Sequence, residues 1–222
     1  MANKTGKNEA PNSNYLRVYE YLKRHIIDGT FDTDYVFIET EISEMLEVSR
    51  TPVREAIKML KSEKLLINVP KKGIMCRPLS YQDIDSVYEI AEAVEGVMAY
   101  NIASHSDQLD FSELEQSLTR MERAVAEHNI DEWIEADSEF HLNVKKLCSN
   151  EFVVETINKL ELYIEIMRNR YTKKHYESMQ RSTIQHRDTF KALSSGDAEY
   201  ARIIAQYHWR TIRKQLQMKD VL

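Results

Sequence analysis

Asp137 and His141 stand four residues apart, so on a helix they project from one face and can share a metal ion. His186 and His208 lie in segments rich in apolar residues and are expected to look inward, with Ile184, Phe190 and Leu193 on or near the inward side of the His186 helix. Between them, Ser194, Ser195, Gly196 and Asp197 read as a helix stop followed by a helix cap, which makes the flanking helices antiparallel. Counted outward from that turn, the two histidines are mismatched by about 4.5 Å at 1.5 Å per residue, so their imidazoles can meet. Three imidazoles and one carboxylate suit a divalent transition metal such as zinc, nickel or manganese. Any one of these histidines alone is more simply a hydrogen-bonded core residue; the combination argues for a site. His25, His105, His128 and His175 have no such arrangement and read as surface or packing residues.

A second chemistry is concentrated in residues 50–61. Val53, Ala56, Ile57 and Leu60 recur at i, i+3, i+4 and i+7 and must face a core, while Arg50, Arg54, Lys58 and Lys61 share another face. A helix fits the major groove of DNA, and Arg50, Thr51 and Arg54 in its first turns can grip phosphate or engage guanine. A charged stripe is usually only a solvated face. This one follows a short helix and a tight turn, and it begins with Ser49 or Thr51 as cap and Pro52 in the first turn. Lys71 and Lys72 then form a second basic cluster at a predicted hairpin tip.

The elements that must position these groups follow from periodicity. Residues 1–13 are small and polar and read as a disordered arm. From about Asn14, Leu16, Tyr19, Leu22, Ile26 and Ile27 mark a helix ending near Gly29. An irregular stretch through Asp34 leads to a short helix over Glu39 to Leu46, with Ile42, Met45 and Leu46 on one face. After the basic helix, Leu65 to Val69 and Ile74 to Cys76 read as strands around a Pro70 to Gly73 turn. Pro78 breaks the pattern, Ser80 can cap a new helix, and the remainder reads as about six helices. The expected fold is mainly α: a winged helix-turn-helix of three helices and a β-hairpin wing over 14–78, then an all-α antiparallel bundle over 79–222.

Composition agrees with this division. The 222 residues are 42% hydrophobic with only 5 Gly and 4 Pro, as a helical globular chain requires. The net charge of −6 is uneven: residues 50–77 hold 8 basic and 2 acidic side chains, whereas residues 14–49 hold 3 and 8. Cys76 and Cys148 suggest no disulfide framework, no leader-like segment precedes the first helix, and no apolar run is long enough to span a bilayer. A cytoplasmic protein without membrane partners is expected.

The segment Val48 to Ala56, with Gly29 upstream and Gly73 in the wing, resembles the GntR family of winged-helix regulators. That resemblance implies that Ser49, Arg50, Thr51 and Arg54 contact an operator, with Lys72 and Gly73 at a wing reaching the minor groove. Residues 80–217 resemble the FCD ligand-binding domain of the FadR subfamily, in which an Asp and three His bind a metal; Asp137, His141, His186 and His208 match them. The implied function is effector-controlled DNA binding, more as repressor than activator, by a homodimer on a near-palindromic site. The effector would be a carboxylate, an organic or sugar acid. Three positions depart from the pattern: Thr40 and Ala91 stand where relatives often carry arginine, and Lys64 where they often carry glycine. Ala91 removes a cation near the effector pocket, for which Arg168 or Arg170 can substitute. The competing function, a metal-dependent hydrolase or isomerase using the Asp/His set, leaves the basic helix unexplained.

Overall fold

The computed structural model describes residues 11–172 and 176–218, and the chain divides between Pro78 and Leu79 into two compact units. The fold is mainly α, a winged helix-turn-helix followed by an antiparallel helical bundle.

In the first unit, α1 (Pro11–Ile27), α2 (Glu39–Met45) and α3 (Arg50–Ser62) surround a core of Val18, Leu22, Ile26, Ile42, Val53, Ile57 and Leu60. Helix α1 starts at Pro11, three residues before the expected Asn14, because proline is tolerated at a first helical position. The rest of the expected arm, residues 1–10, lies outside the described residues. Leu16 and Met45, expected to face inward, are exposed, and Val18 is buried in their stead. The wing consists of β2 (Leu66–Val69) and β3 (Gly73–Cys76). A strand not foreseen, β1 (Val36–Phe37), pairs with β3 and gives an antiparallel sheet of order β1-β3-β2. Two residues are too few to show an alternating pattern in sequence.

The second unit holds α4 (Tyr81–Ala103), α5 (Ser112–Ala126), α6 (Ile130–Leu147), α7 (Glu151–Thr172), α8 (Tyr176–Ser195) and α9 (Ala198–Met218). A single 3-10 turn, Ser106–Gln108, follows α4. Ser80 caps α4 in a reciprocal box with Asp83, and Asn129 caps α6 by accepting from the Glu132 amide. Gly196 (φ +78°) ends α8, and the Asp197 carboxylate accepts the Tyr200 amide at 3.0 Å to start α9. The core is built from Met98, Leu114, Leu118, Met121, Trp133, Phe140 and Leu193. Ile184 is a correction: it is 64% exposed, because Thr183 and His186 take the inward positions of α8.

Candidate functional site

Helices α6, α8 and α9 bring Asp137, His141, His186 and His208 together. Asp137, His186 and His208 are buried and His141 nearly so. The imidazole centroids of His186 and His208 lie 4.4 Å apart, and those of His141 and His186 4.9 Å. The Asp137 carboxylate accepts from His186 Nε2 at 2.8 Å and stands 4.0 Å from His141 Nε2. One ligand nitrogen from each histidine falls within 4.8 Å of the others. Bonds of about 2.0–2.1 Å at tetrahedral angles need nitrogens about 3.3 Å apart, so side-chain adjustment of about 1 Å suffices and the set fits a metal.

The surroundings favour the ligating forms. Burial pushes the His186 and His208 imidazoles below their ordinary range; Asp137 opposes this for His186, and neighbouring His186 and His141 add to it for His208. Both are neutral at pH 7, the form that binds metals. Burial by itself raises the Asp137 carboxyl, but the Arg168 guanidinium and the His186 hydrogen bond outweigh it and hold the acid ionised. His208 Nδ1 lies 2.9 Å from Gln185 Oε1, an acceptor that fixes Nδ1–H and leaves Nε2 available.

Two further charged residues stand beside these side chains. Arg168 from α7 places Nε 2.5 Å from Asp137 Oδ2 and donates to Ser138 Oγ at 2.9 Å. The Arg170 side chain lies outside the described residues. Sequence reasoning missed Glu95 on α4, a buried acid whose Oε1 stands 3.8 Å from His141 Nδ1. No local signal marks it, since its partner is 46 residues away. The cavity, lined by Tyr88, Asp137, His141, Arg168, His208 and Trp209 among others, measures about 40 Å³. The remaining histidines pack elsewhere: His25 against Tyr21 and Phe31, and His128 stacked on Tyr176; His175 is outside the described residues.

In the first unit, Ser49, Arg50, Thr51 and Arg54 are all exposed at the start of α3. Ser49 is the N-cap, yet its side chain makes no capping bond, and no acidic residue occupies the first turn. The helix start therefore presents amide hydrogens and cations without a carboxylate of its own. The exception comes from α2, where the Glu39 carboxylate accepts from Arg54 Nε at 2.6 Å. Lys72 and Gly73 are exposed at the hairpin tip, where Pro70 followed by Lys71 at φ +64° makes a tight turn closed by Lys72 N–H to Val69 O at 3.1 Å. Gly73 has φ +107°, and a Cβ there would meet Val36 Cγ1 at 3.3 Å, so its place in the wing has a structural cause. Lys64 sits at φ +60°, which accounts for the glycine that relatives often carry.

Comparison with known proteins agrees with both halves. Residues 14–75 match the bacterial regulatory proteins of the gntR family, and residues 86–211 match the FCD domain. The chain is 28% identical over 201 residues to the HTH-type transcriptional regulator YdhC of Bacillus subtilis, covering 88% of each. It is 25% identical to the gluconate operon transcriptional repressor of Bacillus licheniformis, over 83% of this chain and 77% of that one. A GntR transcriptional regulator from Rhodococcus sp. RHA1 shares the fold with a TM-score of 0.80 at 22% identity, covering 93% of this chain and 99% of that one. A winged helix-turn-helix ahead of an FCD domain defines a one-chain DNA-binding transcription regulator. This chain belongs to the GntR family, in the branch that carries an FCD domain. It is a regulator and not an enzyme, so the hydrolase or isomerase reading falls.

Proposed function

We propose that this regulator is a homodimeric repressor, released from its operator by a small organic or sugar acid that binds at a metal in the second unit. Residues 14–78 would bind DNA, with Ser49, Arg50, Thr51 and Arg54 at the major groove and Lys72 and Gly73 at the wing. Residues 79–222 would bind the effector and pair the protomers. One winged helix reads too few base pairs to find a site in a genome, and a two-fold dimer doubles them. Acting on DNA sets its work in the cytoplasm.

The observation that carries the effector reading is the meeting of His141, His186 and His208 from three helices, next to a small cavity that His141, His208, Asp137 and Arg168 line. Zinc, nickel or manganese held there would tie the helices together and offer a position to a carboxylate oxygen. Arg168 would then supply the cation that Ala91 lacks, turning from Asp137 to the acid's second oxygen. Gluconate, in the name of one relative, is an acid of the proposed class.

The test begins with genomic fragments retained by the immobilised protein. Their affinity is then measured by fluorescence anisotropy with zinc, with chelator, and with zinc plus a panel of small carboxylates and sugar acids. At least one acid should release the DNA only in the zinc-loaded protein. Release that is indifferent to chelation, or DNA binding unaffected by every acid, contradicts the proposal.

A further inference from the structure

Tyr88, Ala91, Glu95, Ala99 and Ile102 recur at spacings of three and four along α4 and are all buried. One of the five is an acid. A carboxylate at a core position costs stability unless a partner or a ligand uses its charge. Among the described residues no hydrogen-bond donor reaches the Glu95 side chain, and the Cys148 thiol near it is kept protonated, pushed up by burial with the Glu95 charge adding to the rise. What Glu95 does face is His141, with Oε1 3.8 Å from Nδ1. The other nitrogen of that ring, Nε2, lies on the Asp137 side, 4.0 Å from Oδ2. His25 and His105, also on or just past a helix, turn Nδ1 onto the carbonyl four residues before them, Tyr21 and Asn101, both at 2.8 Å. His141 makes no such bond among the described residues, which leaves its Nδ1 to Glu95. Gly96 holds this part of α4 close to α9, since a Cβ there would stand 2.7 Å from Gln206 Cγ.

We propose that Glu95 is a positioning residue of the metal site: its carboxylate accepts the His141 Nδ1–H and so keeps Nε2 of that ring unprotonated and turned to the metal. The proposal rests on the metal reading and brings a fourth helix, α4, to the site. A charge-assisted hydrogen bond of about 2.8 Å is reached by closing the gap by about 1 Å, an adjustment no larger than the ligand set needs to bind an ion. Nδ1 and Nε2 open to opposite sides of an imidazole, so a carboxylate on the Nδ1 side acts through the ring and not on the metal directly. A neutral imidazole carries one proton on either nitrogen, and the form protonated at Nε2 cannot ligate through Nε2. An acceptor at Nδ1 removes that form. Gln185 serves His208 in the same way through a neutral oxygen, whereas the Glu95 charge also makes the His141 ring a stronger electron donor.

Calorimetric zinc titration of the full-length, chelator-stripped protein tests this, beside long-range proton–nitrogen NMR of the imidazoles, in which the His141 signal is assigned by its loss in His141→Gln. Glu95→Leu should bind zinc about 10- to 100-fold more weakly. In the metal-free protein it should move His141 towards the Nε2–H tautomer, yet melt no lower than the wild type, because an apolar side chain replaces a buried charge. Glu95→Gln, whose amide oxygen still accepts from Nδ1, should keep the Nδ1–H tautomer and lose less zinc affinity than Glu95→Leu. Should leucine unfold the bundle, Glu95→Gln decides: a loss of about threefold or more supports the role of the charge, and an unchanged isotherm overturns it. An unchanged zinc affinity or an unmoved His141 tautomer in Glu95→Leu overturns the proposal, as do equal losses in both variants, which would make Glu95 a ligand. A wild type that binds no zinc overturns the metal reading itself.

Discussion

Arg168 is the residue on which the two halves of the proposed site turn. Its guanidinium satisfies the buried Asp137 carboxylate, whose charge nothing else so close would neutralise if no metal were bound. Arg168→Met should therefore leave that charge uncompensated and destabilise the metal-free protein by about 3 kcal/mol. Zinc should then raise its melting temperature by more than in the wild type, while binding of any releasing acid weakens; an equal zinc shift in both proteins would rule this role out. The counterpart proposed to face DNA is Arg54, held by Glu39. Glu39→Gln should free it and tighten operator binding by up to several-fold, and Arg54→Ala should weaken operator binding by about tenfold or more. Anisotropy titrations at fixed salt check both, and a weaker Glu39→Gln complex would show that Glu39 orients Arg54 for DNA instead. Asp137, His141, His186 and His208 were all legible in the sequence, because i, i+4 spacing and a marked turn fix relative positions. Glu95 was not, because the meeting of α4 with α6 is a tertiary fact.

At the scale of elements, three helices among the described residues end on a residue in the left-handed region that is not glycine: Glu47 after α2, Lys64 after α3 and His128 after α5. Each is followed by the paired backbone bonds of a Schellman stop; after α3 these are Lys64 N–H to Lys61 O and Leu65 N–H to Leu60 O. Lys64→Gly should relieve this strain and stabilise the winged helix by about 1 kcal/mol, read as a higher denaturation midpoint with unchanged slope. A lower midpoint would mean that the lysine side chain contributes more than its backbone costs. These stops explain what the sequence concealed. Helices bounded by Ser80, Gly196 and Asp197 could be placed from residue type alone. The inward face of α8 was misjudged at Ile184 because polar Thr183, Gln185 and His186 are buried there, reversing the hydrophobic pattern used to orient the helix.

For the whole molecule, the residues proposed to contact DNA and those proposed to hold the metal fall in different compact units. Chelation should lower the melting temperature of the second unit, and the metal-free protein should retain operator binding, since none of α1, α2 or α3 contributes a ligand. Loss of DNA binding on chelation alone would show that the metal holds the active form of the regulator and not merely its sensor. The central claim is that four side chains from α6, α8 and α9 constitute one metal site, and calorimetric titration of zinc into the chelator-stripped protein tests it most directly. One ion per protomer should bind the wild type, and His186→Ala and His208→Ala should each lose the high-affinity step while remaining helical. Clearly less than one ion per protomer in the wild type, or an unchanged isotherm in both variants, would contradict it.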